Sequence, residues 1–215
     1  MKCDKKAMLL YAVTDRAWVG EQSLYEQVEA ALKNGVTCIQ LREKDLDGDA
    51  FLAEAIALAD LCKRYGVPFI INDNVDIAIQ CGADGVHVGQ ADMLASDVRA
   101  RVGEGMIIGV SAHTVEEALE AVKNGADYLG LGAVFSTSTK TDVDQMSYQT
   151  LKDICNAVRV PTVAIGGISK KNILQLSGSG VDGVAVVSAI FAADDPGAAT
   201  AELLALANQM VQGHA

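Results

Sequence analysis

Cys81-Gly82-Ala83-Asp84-Gly85-Val86 is the stretch on which the fold turns. The same phrase returns, slightly altered, as Asn124-Gly125-Ala126-Asp127-Tyr128 and Ser179-Gly180-Val181-Asp182-Gly183-Val184, and in shorter form as Asn34-Gly35-Val36. Each copy follows a segment of helical spacing and precedes a short apolar run. A glycine at a helix end takes the left-handed cap that other residues resist. The acid and small residue then turn the chain into a buried strand. Such a recurring helix-to-strand joint marks βαβ units and a parallel sheet.

Working outward, eight apolar runs read as strands: Leu9–Val13, Val36–Leu41, Pro68–Ile71, Gly85–Val88, Met106–Val110, Tyr128–Leu131, Thr162–Ile165 and Gly183–Val187. Helical spacing predicts helices over Ser23–Lys33, Ala50–Tyr65, Val75–Cys81, Ala95–Val102, Val115–Lys123, Tyr148–Val158, Lys171–Ser177 and Gly197–Val211. Eight alternations close into a (β/α)8 TIM barrel, a single domain over residues 1–215. The competing arrangement is a doubly wound open sheet. It usually has fewer repeats and opens on a G-x-G-x-x-G turn, which this chain lacks.

Half of the 215 residues are apolar, enough for a large core, and the net charge is −11. That balance disfavours nucleic acid and anionic membranes as partners. An acidic protein that binds phosphates must gather its few cations in one place. The five cysteines (Cys3, Cys38, Cys62, Cys81, Cys155) contain no C-x-x-C pair, so they read as small buried hydrophobes in a reducing cytoplasm. The charged start, Met1 to Lys6, and the break at Thr14-Asp15-Arg16 do not fit a signal peptide. No apolar stretch reaches the roughly 18 residues of a membrane span.

A barrel carries its chemistry just after the strands, and the unusual residues of this chain fall there. Gln40-Leu41-Arg42-Glu43-Lys44 ends the second strand. With period two, Gln40, Arg42 and Lys44 share one side, and Leu41 and Glu43 the other. An amide and two cations on one face suit an anion, although a solvated strand end looks the same. Asp73, after Asn72, and Asp92 follow neighbouring strands and can converge on Mg2+, which favours two carboxylates supplemented by water and phosphate oxygens. Each also reads as a helix N-cap. Thr137-Ser138-Thr139-Lys140 sits in a long loop whose hydroxyls and ammonium suit a phosphoryl group. Gly166-Gly167 and Val187-Ser188 follow the last two strands, where barrels often bind phosphate through backbone N–H groups. Gly167 also reads as a turn and Ser169 as a helix cap. His87 reads as a packed or hydrogen-bonded strand residue, and His113 as loop. Two anion sites with little acid–base equipment suit the displacement of a diphosphate.

These residues resemble the thiamine-phosphate synthase family almost end to end. The resemblance is carried by Tyr11–Asp15, Gln40–Lys44, Ile71-Asn72-Asp73, Gly85–Gln90 with Asp92, Gly109-Val110-Ser111, Thr137-x-Thr139-Lys140, Ala164–Ile168 and Val187–Ile190. It implies that a hydroxymethylpyrimidine diphosphate is joined to a thiazole phosphate, giving thiamine phosphate and diphosphate. CO2 is also lost if the thiazole is carboxylated. It places the pyrimidine diphosphate on Gln40, Leu41, Arg42, Glu43, Lys44, Asn72, Ser111 and Lys140, with Arg42, Lys44, Ser111 and Lys140 as the catalytic set. It places the thiazole phosphate on Thr137, Ser138, Thr139, Gly167, Val187 and Ser188, and one Mg2+ on Asp73 and Asp92. Partners would be these two small molecules, in the cytoplasm, and a homo-oligomer is left open. Ser136 and Ala91 depart from residues common in the family, proline and an acid. A thiazole tautomerase of the same fold needs neither the aspartates nor the cationic strand, and a decayed regulatory barrel would have lost a ligand.

Overall fold

The structure, a computed structural model, describes residues 3–89, 94–136 and 145–213. Eight parallel strands close in sequence order: β1 (Leu10–Val13), β2 (Cys38–Leu41), β3 (Phe69–Asn72), β4 (Gly85–Val88), β5 (Ile107–Ala112), β6 (Tyr128–Gly132), β7 (Thr162–Ile165) and β8 (Gly183–Val186). The seam is Leu10 to Ala12 of β1 against Val184 to Val186 of β8. Around the strands lie α1 (Leu24–Lys33), α2 (Gly48–Tyr65), α3 (Val75–Cys81), α4 (Ala95–Val102), α5 (Val115–Lys123), α6 (Tyr148–Ala157), α7 (Ser188–Phe191) and α8 (Pro196–Gln212). The expected (β/α)8 barrel is the fold.

Alternation along the strands divides the core in two. Leu10, Ile39, Leu41, Ile71, Val86, Leu129 and Val184 face the helices in the larger cluster. Tyr11, Cys38, Ile70, Ile107, Tyr128 and Ala185 fill the barrel's interior. Tyr128 fits inside because β5 beside it carries Gly109. A Cβ on Gly109 would lie 2.1 Å from the Tyr128 ring.

The recurring phrase has a mechanical role at the closed end. Asp84 donates its N–H to Phe69 O and accepts the Phe69 N–H on its carboxylate, both at 2.9 Å. Asp127 does the same to Ile108, and Asp182 to Thr162. Thr37 clasps Leu10 likewise through its hydroxyl. The strands are thus clasped in pairs, 1 with 2, 3 with 4, 5 with 6 and 7 with 8. Gly82 is a left-handed helix cap, and Gly35, Gly125 and Gly180 also have positive φ. The acids of the repeat hold the frame and lie opposite the strand ends that carry chemistry.

Two elements differ from expectation. The predicted helix Lys171–Ser177 is a short 3-10 turn, Ile173–Leu176. Asn172 bonds back to the Ser169 N–H and to Gly167 O, and Gly178 and Gly180, at φ 80 and 93, lie outside the right-handed helical region. Ser169 therefore caps no α-helix. The one-turn helix α7 escaped the sequence because four residues show no periodicity.

Candidate active site

Among the described residues, a cavity opens at the C-terminal ends of the strands. Tyr11, Gln40, Arg42, Asn72, His87 and Ser111 line one part, and Gly166, Gly167, Ala185, Val187 and Ser188 another. Residues from β2, β3, β5, β7 and β8 that the sequence assigned to two substrates thus meet in one space.

The second strand end behaves as its alternation predicts, with two corrections. Gln40 and Arg42 face the cavity, whereas Lys44, expected on the same side, is not among the lining residues and turns its ammonium to Asp73. Leu41 is fully buried against the helices, so only its backbone is available to a ligand. Glu43 is the other correction. Its side chain is 2% exposed. One oxygen accepts the N–H groups of Lys44, Asp45 and Leu46 at 2.7, 2.8 and 3.4 Å. The other accepts Arg16 Nε at 2.8 Å, and Arg16 also reaches Glu54 at 2.6 Å. A carboxylate so occupied folds the loop rather than touching substrate. Burial alone would raise its pKa. The Asp45 N–H, the Arg16 guanidinium and the Lys44 N–H outweigh burial and hold the carboxyl below its usual range. Asp15 and Arg16 were not picked out as site residues. The one signal was their place directly after a strand. Asp15 lies 3.5 Å from the Arg42 guanidinium, and Thr14 Oγ1 accepts the Arg42 N–H.

Asp73 does not cap α3. Asn74 does, accepting the Ile77 N–H at 3.0 Å. Asp73 has φ 61, the left-handed conformation that aspartate tolerates better than most residues. Its N–H donates to His87 O at 2.8 Å, and its carboxylate meets Lys44 Nζ at 2.7 Å. The side chain is therefore held beside the end of β2, next to Asn72 which lines the cavity, and is not spent on the helix. That fits a ligand for Mg2+, which needs only one or two protein carboxylates when phosphate oxygens complete its shell. Asp92 lies outside the described residues. So do Thr137, Ser138, Thr139 and Lys140.

At the other rim, Gly167 is required by the backbone itself. It has φ 64, and a Cβ there would lie 2.3 Å from Ser136 O. Val187 precedes α7 and Ser188 is its first residue, and both line the cavity.

Along the cavity wall runs a chain of hydrogen bonds, of which Tyr128 alone is not a lining residue. Gln40 Nε2 donates to Tyr11 OH at 2.7 Å, and Tyr11 OH meets Tyr128 OH at 2.8 Å. Tyr128 OH meets His87 Nδ1 at 2.9 Å, and His87 Nε2 meets Ser111 Oγ at 3.0 Å. Burial pushes both phenols well above their usual range, so both keep their protons. His87 is the hydrogen-bonded strand residue the sequence indicated. His113 also lines the cavity and pairs with Glu117 at 3.1 Å. All five cysteines are free thiols whose pKa values are raised by burial, Cys62 to about 12 and Cys155 to about 11. Among the described residues no helix is long and apolar enough to cross a membrane.

Residues 10–190 match the family model described as thiamine monophosphate synthase. The chain is 49% identical over 184 residues to the thiamine-phosphate synthase of Clostridium acetobutylicum, covering 86% of this chain and 87% of that one. It is also 49% identical over 191 residues to that of Clostridioides difficile, covering 89% and 91%. Among solved structures, thiamine phosphate pyrophosphorylase from Pyrococcus furiosus superimposes with a TM-score of 0.89 at 38% identity, covering 96% of this chain and 98% of that one. With strand order, cavity and sequence in agreement, the chain belongs to the thiamine monophosphate synthase family.

Proposed function

We propose that the chain is an alkyl transferase that joins a 4-amino-2-methylpyrimidin-5-ylmethyl diphosphate to a thiazole phosphate, yielding thiamine phosphate and diphosphate. The observation that carries this reading is the arrangement of the cavity. Gln40, Arg42, Asn72 and Ser111 lie along one part of it, and Gly167, Val187 and Ser188 along another. The reacting methylene and the thiazole nitrogen belong between them. A carboxylated thiazole fits the same scheme, with CO2 lost in addition.

In this reaction the C–O bond to the diphosphate breaks, and the leaving group takes the electron pair. The pyrimidine-methyl cation is then captured by the thiazole nitrogen, forming the new C–N bond. The aminopyrimidine ring supplies electron density, so no general base is needed. Arg42, Lys44 and Lys140 face charge that grows on the departing diphosphate, where fixed cations lower the barrier most. Asn72 and Ser111 orient the pyrimidine diphosphate. Thr137, Ser138 and Thr139, with backbone N–H groups at Gly167, Val187 and Ser188, hold the thiazole phosphate. Asp73 and Asp92 would hold Mg2+, which when bound supplies charge neutralisation for the diphosphate.

The test is release of diphosphate by the purified chain with both substrates, with each alone, and with or without Mg2+. One diphosphate per thiamine phosphate, only when both substrates are present, is expected. Binding without turnover would make the barrel a regulator. Isomerisation of a thiazole alone would make it a tautomerase.

A further inference from the structure

The hydrogen-bond chain along the cavity wall has a direction, and that direction is set at one end. The Gln40 amide nitrogen can only donate. It lies 2.7 Å from Tyr11 OH, so the Tyr11 oxygen accepts. The single Tyr11 proton then goes to the Tyr128 oxygen at 2.8 Å. The Tyr128 proton goes to His87 Nδ1 at 2.9 Å, which must be bare. A neutral His87 then carries its proton on Nε2 and gives it to Ser111 Oγ at 3.0 Å. Five residues from five strands thus share one orientation. Reversing an inner link would make one phenol accept two bonds and turn its own proton out of the chain.

Both ends of the chain line the cavity, as do Tyr11 and His87 between them. With its nitrogen committed to Tyr11, Gln40 offers the cavity its carbonyl oxygen, an acceptor. We propose that Tyr11, Tyr128 and His87 are positioning residues that lock the Gln40 amide with its oxygen toward the substrate, and so select an aminopyrimidine over its oxo counterpart.

The chemistry favours this arrangement twice. An exocyclic amino group presents N–H donors to the Gln40 carbonyl, whereas a 4-oxo group presents an acceptor and leaves two oxygens opposed. As the diphosphate departs, positive charge spreads onto the amino nitrogen, and its hydrogen bond to the carbonyl strengthens. An interaction that tightens in the transition state raises kcat rather than merely lowering KM. None of the three residues needs to touch substrate for this to hold. The proposal rests on the reaction assigned above.

Two measurements test it. Nitrogen-15 NMR of the imidazoles reads the tautomer directly, with the His87 signals identified by their loss in His87→Gln. A pyrrole-type Nε2 and a pyridine-type Nδ1 are expected. Protonation of Nδ1, alone or together with Nε2, would overturn the proposal. The second measurement is the ratio of kcat/KM for the 4-amino substrate to that for its 4-oxo analogue, in the wild type and in Tyr11→Phe. Loss of about one hydrogen bond's orientation should lower that ratio roughly tenfold, with kcat for the amino substrate falling and calorimetric affinity for thiazole phosphate unchanged. An unchanged ratio in a folded variant would overturn the proposal. If Tyr11→Phe does not fold, Tyr128→Phe breaks the same chain one link further on and is read in the same way. Should the wild type turn over neither pyrimidine, the assigned reaction fails, while the tautomer measurement still decides the direction of the chain.

Discussion

At the residue scale, Glu43 and Asp73 show what a sequence can and cannot say about a charged side chain. Strand alternation put Gln40 and Arg42 on the correct side, because period two is imposed by backbone geometry whatever surrounds it. It could not show that Glu43 turns back onto the N–H groups of Lys44, Asp45 and Leu46, since that depends on a tight turn three residues long. Glu43→Gln should lower stability by about 1–3 kcal/mol at neutral pH, the cost of disturbing buried bonds to a charged acceptor. The folded carboxyl titrates below its usual range. Its contribution is therefore complete above about pH 4.3, the ordinary glutamate value, and is lost as the pH falls through the lower folded value. Urea midpoints of the wild type and variant should converge in that acidic window and stay apart above it. Asp73 had two readings in the sequence, cap or ligand, and the Asn74 side chain in the cap position removes the first. Asp73→Ala should lower kcat by two orders of magnitude or more, about 3 kcal/mol of transition-state stabilisation, with the melting temperature falling by only a few degrees because alanine takes φ 61 less readily than aspartate. Near-normal turnover at low Mg2+ would take Asp73 out of the site.

At the element scale, the strands and long helices were legible because each repeats a pattern over enough residues to be seen. The short pieces were not. The turn at Ile173–Leu176 and the helix α7 are governed by local bonds, such as those of Asn172 to Ser169 N–H and Gly167 O. The Gln40-to-Ser111 chain was hidden for a different reason. Tyr11, Tyr128 and His87 are each visible as polar residues at interior strand positions, but only barrel closure brings them together. The phosphate rim gives a test at this scale. Recognition through the backbone at Val187-Ser188 is indifferent to the hydroxyl, so Ser188→Ala should change thiazole phosphate affinity less than threefold. Gly167→Val forces a Cβ against Ser136 O and should weaken that affinity at least tenfold, with some loss of stability, since both sterics and a positive φ oppose it. Calorimetry reads both. A severe loss in Ser188→Ala beside a silent Gly167→Val would make the hydroxyl the recognition group.

At the scale of the whole molecule, a chain of net charge −11 brings Arg42 to one part of its cavity, with Lys44 paired to Asp73 beside that strand end, and lines another part with Gly167, Val187 and Ser188. That division, one region for the diphosphate that leaves and another for the phosphate that stays, is the central claim. Arg42→Gln tests it most directly. The variant keeps a polar side chain but removes the guanidinium, and both ligands can be titrated calorimetrically, an inert analogue standing in for the pyrimidine diphosphate. The expected result is a loss of roughly 10- to 100-fold in affinity for the diphosphate analogue, the worth of a charged hydrogen bond, with thiazole phosphate affinity within a factor of two of the wild type. Equal losses for both ligands, or a loss confined to thiazole phosphate, would contradict the division of the cavity.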